Sequence, residues 1–155
     1  MGVVVGVLLL GTVALVFSAD DEDTPPPCRA EIRHGVLPKW ARAGFSEDRP
    51  RLPHAIGRSG DIAALLLGYP LRSPRPVKRS NKILWVSRVP LEPPSALRIS
   101  AQRMRGRQRL GSPVRRVVED GPGPSIVNLP APGCWRLSLA WSGHRDGLDL
   151  VYEAR

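Results

Sequence analysis

Polar and apolar positions alternate most regularly near the C-terminus. Trp135, Leu137, Leu139 and Trp141 interleave with Arg136, Ser138, Ala140 and Ser142, and Leu148, Leu150 and Tyr152 interleave with Asp149, Val151 and Glu153. A period of two marks strands with one buried face, so the segment reads as a β-hairpin. Placing His144 and Arg145 at its tip sets Trp141 opposite Leu148, Leu139 opposite Leu150, Leu137 opposite Tyr152 and Arg136 opposite Glu153. That register buries one face and pairs opposite charges on the other.

The same reading extends upstream. Leu97, Ile99 and Ala101 alternate with Arg98, Ser100 and Gln102, a half-exposed strand. Lys82 to Val89 (KILWVSRV) is apolar on both faces at its start, which implies a central strand. Asp61 to Tyr69 (DIAALLLGY) is a continuous apolar run, a buried strand or a short core helix, with Gly68 and Pro70 favouring the strand. Val114 to Val118 and Ser125 to Leu129 read as short strands. Pro38 keeps Leu37 extended, so no helix runs through that point, and Trp40 to Ala43 suits a single turn. Trp40 and Phe45 are expected to cover an edge of the core. Ser46 to Gly60, with Pro50 and Pro53, reads as a surface loop carrying a solvated His54.

Every one of the 17 prolines lies at or beyond Pro25, which argues against long helices in the domain. Short apolar runs punctuated by Pro and Gly imply an all-β sandwich of one domain, residues 31–155. Before it, residues 20–30 are acidic and then proline-rich, a spacer. Residues 1–19 contain an uncharged apolar run, Gly2 to Ala19, expected to be a hydrophobic helix. It serves either as a transmembrane anchor or as a signal peptide cleaved after Ser18. The expected location is therefore the cell membrane with the domain extracytoplasmic, or secretion. In that setting Cys28 and Cys134 are candidates for a disulfide.

The net charge of +9 is concentrated in the middle of the chain. Arg72 to Arg116 holds 13 Lys or Arg against Glu92 alone, whereas the remainder holds 10 basic and 13 acidic residues. Guanidinium groups bind phosphate and carboxylate bidentately. Arg103, Arg105, Arg107, Arg109, Arg115 and Arg116 are thus the candidate contacts to an anionic polymer, a lipid surface or a partner protein. Arg outnumbers Lys 20 to 3, a bias that lowers the functional weight of any single arginine. Nucleic acid is disfavoured, since no helix-turn-helix, zinc finger or aromatic stacking motif accompanies the charge.

Catalytic signatures are sparse. His144-Arg145-Asp146 matches the kinase catalytic-loop triplet, but Val151 stands where that pattern needs Asn. Ser125 lacks a glycine-flanked nucleophile context. His34 and His54 have no ligand partner at metal spacing, so neither a metal nor a cofactor is expected. The leading reading is a non-enzymatic binding or structural domain. The alternative is an envelope enzyme whose site assembles from loops.

The segments LPKWARAGF, GDIAALLLGYPL, NKILWVSR, GPGPSIVNLP and GCWRLSLAWSGH resemble an uncharacterised family of bacterial envelope proteins. Its members carry an N-terminal signal or lipid anchor and one β-rich domain. The resemblance spans Leu37 to Tyr152 and implies no activity. The final Gly-Cys-Trp strand and hairpin are similar to the last strands of immunoglobulin-like domains. The resemblance thus implies an immunoglobulin-like β-sandwich, although Cys28, Trp85 and Cys134 are more widely spaced than the Cys–Trp–Cys pattern of true immunoglobulin domains.

Overall fold

The computed structural model describes Gly2 and residues 25–155. The expected helix and anchor at 1–19, and the start of the spacer, lie outside the described residues. Among the described residues no helix is long and apolar enough to cross a membrane.

Among the described residues nine strands form two antiparallel sheets. The first contains β1 (Arg33–Val36), β2 (Arg51–Ile56), β3 (Ile62–Leu66), β4 (Lys82–Ser87) and β7 (Pro124–Ile126), in the order β1-β2-β3-β4-β7. The second contains β5 (Leu97–Arg105), β6 (Gln108–Val118), β8 (Gly133–Trp141) and β9 (His144–Tyr152), in the order β6-β5-β8-β9. The only helical element among the described residues is a single 3-10 turn at Lys39–Ala41, close to the turn expected at Trp40.

The all-β expectation is met, and alternation explains the layers. Ile62, Ala64 and Leu66 of β3 and Ile83 and Trp85 of β4 face Leu97, Ile99, Trp135, Leu137, Leu139, Trp141, Leu148, Leu150 and Tyr152 of the second sheet. Each large apolar side chain fully buried there contributes about 1.5–3 kcal/mol. The alternate residues of β3 and β4 serve a second, smaller core. Ala63, Leu65, Leu84 and Val86 lie on the outer face of the first sheet, under Leu37, Trp40, Ala41 and Phe45. Trp40 and Phe45 therefore cover a sheet face rather than the edge expected from sequence.

The polar tips of the buried aromatics are all occupied, as burial requires. The Trp85 indole donates to Ser125 Oγ at 3.0 Å, Trp135 to the Ala131 carbonyl at 3.0 Å and Trp141 to Ser87 Oγ at 2.9 Å. The Tyr152 hydroxyl donates to the Val127 carbonyl at 2.7 Å. Ser125 is thus an acceptor for a core tryptophan. Among the described residues no buried side-chain polar atom lacks a partner.

Two expectations need correction. The segment 46–60 is not all loop, because Arg51–Ile56 forms β2 between β1 and β3. Pro50 and Pro53 masked an alternation in which Leu52 and Ile56 join the outer core and Ala55 the inner one. His54 is accordingly buried, at 2% exposure, with Nδ1 2.8 Å from the Leu52 carbonyl.

The hairpin forms with the expected faces but a different register. Trp141 pairs with His144, Leu137 with Leu148, Trp135 with Leu150 and Arg136 with Asp149. The tip is Ser142-Gly143, with φ of 45° and 74°. Two consecutive positive φ values fit a tight turn that matches strand twist. The difference from the expected pairing is four residues, and an even shift leaves every side chain on its own face.

The disulfide is present. Cys28 and Cys134 are bonded, with Cα atoms 6.1 Å apart and 106 residues between them in sequence. It joins the segment ahead of β1 to β8 on the outer face of the second sheet.

Candidate functional site

The outer face of the second sheet is a grid set by the register. Across β6, β5, β8 and β9 its first row is Val117, Arg98, Ala140 and Arg145, and its second is Arg115, Ser100, Ser138 and Gly147. The third row carries Gln102, Arg136 and Asp149, and the fourth Arg109, Met104, Cys134 and Val151. Among the described residues no aromatic side chain stands in these rows.

On β8 and β9 the N-terminal segment crosses the lower two rows, leaving the side toward Arg109 uncovered. Cys28 is bonded to Cys134, and its N–H donates to the Gly106 carbonyl at 2.9 Å. The Arg29 N–H donates to Asp149 Oδ2 at 2.9 Å, and Arg136 donates to the Pro26 carbonyl at 2.8 Å. Met104 is buried beneath this strap.

The upper two rows are open and form a hollow of about 760 Å³. Its floor is made of small residues: Ser100, Ser138, Ala140 and Gly147. Its rim carries Arg98, Arg115, Arg116, Arg145 and Arg58. A smaller cleft of about 220 Å³, lined by Arg109, Gln102, Met104, Arg136 and Pro25, shares Ser100 and Ser138 with it. The two adjoin at these serines, one after the other along β5 and β8.

Local sequence explains the shape. Between Ala101 and Arg103 the β5–β6 register shifts, and the extra residues on β6 include Gly111 (φ 64°) and Pro113. Such an irregularity bends and twists a strand, lifting β6 into a wall. Gln102 holds the bend by donating to the carbonyls of Leu110 and Gly111 at 3.0 and 3.1 Å. On the opposite wall Arg58 reaches over β9 because Gly147 has no side chain. A Cβ there would stand 2.6 Å from Arg58 Nη1. The turn that carries Arg58 is fixed by Asp146, whose carboxylate accepts the N–H groups of Ser59 at 2.9 Å and Asp61 at 3.1 Å. Gly57 must be glycine for the same reason, since a Cβ would overlap that carboxylate.

Charge on this face is unevenly balanced. Among the described residues the ion pairs are Arg58–Asp149, Arg72–Glu153 and Arg136–Asp149. Arg98, Arg115 and Arg145 are exposed and have no carboxylate partner among them. Asp149 is committed to structure: burial opposes its ionisation, but hydrogen bonds from Arg136 and the Arg29 N–H, with the charges of Arg58 and Arg136, lower its pKa. The same pairing raises that of Arg136.

The six arginines singled out from sequence do not form one cluster. Arg103 turns to the Pro132 carbonyl, at 2.7 and 3.1 Å. Arg105 and Arg107 stand exposed at the β5–β6 hairpin tip. Arg109 lines the lower cleft and Arg115 the upper hollow. Arg116, on the opposite side of β6 from Arg115, donates to the Asn128 carbonyl at 3.1 Å and borders the hollow. Sequence reasoning passed over Arg58, Arg98 and Arg145. For Arg98 the signal was available, because alternation sets it on the wet face with Ser100; Arg58 and Arg145 reach the site only through the fold.

One group of metal-type ligands converges among the described residues, Cys28, Cys134 and Asp149. Its sulfurs are bonded to one another, so neither offers the thiolate that binds an ion. The chain matches no family model, no curated protein and no solved structure.

Proposed function

We propose that the chain is a non-enzymatic binding domain that takes an anionic ligand on the outer face of its second sheet. The observation that carries this reading is the concentration of Arg58, Arg98, Arg115 and Arg145 around a floor of small residues, three of them without a carboxylate partner among the described residues. Unpaired guanidiniums on a concave wall raise the local potential and bind phosphate or carboxylate oxygens with directional hydrogen bonds. The outer face of the first sheet is instead covered by Trp40 and Phe45, and the cleft beside β1 and β2 sets Glu31 and Asp149 among Arg29, Arg33 and Arg58.

The domain works outside the cytoplasm, held at a membrane by the apolar segment 2–19 or released by cleavage. The Cys28–Cys134 bond supports this, because such bonds persist in oxidising compartments. As an immunoglobulin-like fold it shares the two packed antiparallel sheets and a buried tryptophan, Trp85. Its disulfide lies on an outer face instead of joining the two sheets within the core, and β1 to β4 follow one another in a single sheet.

Binding of the full chain to anionic vesicles and to an anionic polymer, measured against salt, tests the reading. Replacing Arg98, Arg115 and Arg145 together by Gln should weaken binding by about 100-fold and flatten the salt dependence. Replacing Arg105 and Arg107 at the hairpin tip should change it only slightly. The reverse order would move the site to the hairpin, and indifference to both would remove the electrostatic reading.

A further inference from the structure

We infer that the ligand is an extended chain of phosphate groups, laid along the hollow and the adjoining cleft from Arg98 and Arg145 at one end to Arg109 at the other. This rests on the anion-binding reading above and adds the chemical class and path of the ligand.

The length of the site carries the first half of the inference. A compact anion is held by donors converging on one point, but here the guanidiniums are strung along the sheet. Arg98 and Arg145 occupy the first row, Arg115 the second and Arg109 the fourth. Rows two residues apart are about 6.7 Å apart, so three steps extend over about 20 Å. Ser100 and Ser138, cross-strand partners, belong to both the upper hollow and the lower cleft. Small side chains at the junction leave the path continuous. Pro25 lines the lower cleft beside Arg109.

The directions of the donors carry the second half. Guanidiniums come from both walls, Arg98 and Arg115 on one side and Arg58 and Arg145 on the other, while the Ser100 and Ser138 hydroxyls rise from the floor. A carboxylate has two coplanar oxygens, which one guanidinium fork satisfies. A phosphate presents oxygens in several directions and uses donors on two walls and a floor at once. Among the described residues this face has no aromatic side chain on which a base could stack. The ligand is therefore recognised through its phosphates alone.

The test uses the full chain in a neutral detergent, titrated with orthophosphate, tripolyphosphate, long-chain inorganic polyphosphate and polyglutamate. Long-chain polyphosphate should bind at least about 100-fold more tightly than orthophosphate, because successive contacts become intramolecular. Arg109→Gln should weaken long-chain binding by about 10-fold and leave tripolyphosphate unchanged. Ser138→Trp, a change at an exposed floor position, should block passage between the two halves and bring long-chain affinity down to the tripolyphosphate level. Equal affinity of tripolyphosphate and the long chain would overturn the extended path. Polyglutamate binding as tightly as polyphosphate would overturn the phosphate assignment. Either result leaves anion binding intact provided that the Arg98, Arg115 and Arg145 triple variant still loses affinity; if it does not, the parent reading fails as well.

Discussion

Arg136 and Asp149 face each other across β8 and β9, and the guanidinium grips the carboxylate through Nε and Nη2, both at 3.0 Å. Asp149 is 5% exposed and Arg136 16%. The same carboxylate also takes the Arg29 N–H and the Arg58 guanidinium. One buried acid thus ties the hairpin, the strap and the turn that carries Arg58. Removing one partner of such a pair leaves a buried charge unmatched. Asp149→Asn should therefore lower unfolding free energy by about 3 kcal/mol in a denaturant titration.

The pH dependence follows from the direction of the shift. The folded-state pKa of Asp149 is lowered, so its contribution is complete above the unfolded value of about 3.9 and is lost as pH falls through the lower folded value. Below about pH 4 the wild type should lose stability more steeply than Asp149→Asn. Parallel curves in that range would show that the pairing contributes nothing.

The Cys28–Cys134 bond closes a loop with 106 residues of separation. Chain entropy credits such a closure with about 4–5 kcal/mol, less any strain. The Cys28→Ser, Cys134→Ser variant should unfold at correspondingly lower denaturant. The wild type in a dithiol reductant should behave like it. Without the bond the strap keeps only its hydrogen bonds to Gly106, Asp149 and Arg136. Amide exchange should therefore rise first at residues 28 and 29.

The tight hairpin turn makes a geometric prediction. Ala140 and Arg145 are cross-strand neighbours on the outer face, one pair from the turn. Cysteines introduced at both positions, with Cys28 and Cys134 retained, should form a second bridge on mild oxidation, seen by mass after alkylation. Cysteines at Ala140 and Asp149 should not, although the wider register expected from sequence would pair them.

The all-β class of this fold was legible in the chain, because period-two burial is written into β5 and β8. The two-sided apolar pattern of β4 announced a central strand, and the apolar run of β3, left between strand and short helix, favoured one; both occupy central places with a core on either face. The wet face bearing Arg98, Ser100, Arg136 and Ser138 was legible for the same reason. Strand β2 was not, since two prolines hid a short alternation that only its neighbours make worth forming. Register was not either: an even shift costs nothing in facial pattern, and two residues at the turn, Ser142 and Gly143, decided it.

The candidate site belongs to the tertiary structure. Charge density along the chain pointed to Arg103 through Arg109, but alternation and the hairpin turn scatter those side chains among a carbonyl, a tip and a cleft. Strand pairing instead gathers Arg98, Arg115 and Arg145 from three strands onto one face. Arg58 arrives from the opposite sheet because Asp146 fixes its turn and Gly147 clears its path. Alternation is a local property of the backbone and can be read from neighbours in sequence. Convergence of charge depends on which strands pair, and that is settled only when the two sheets close on their shared core.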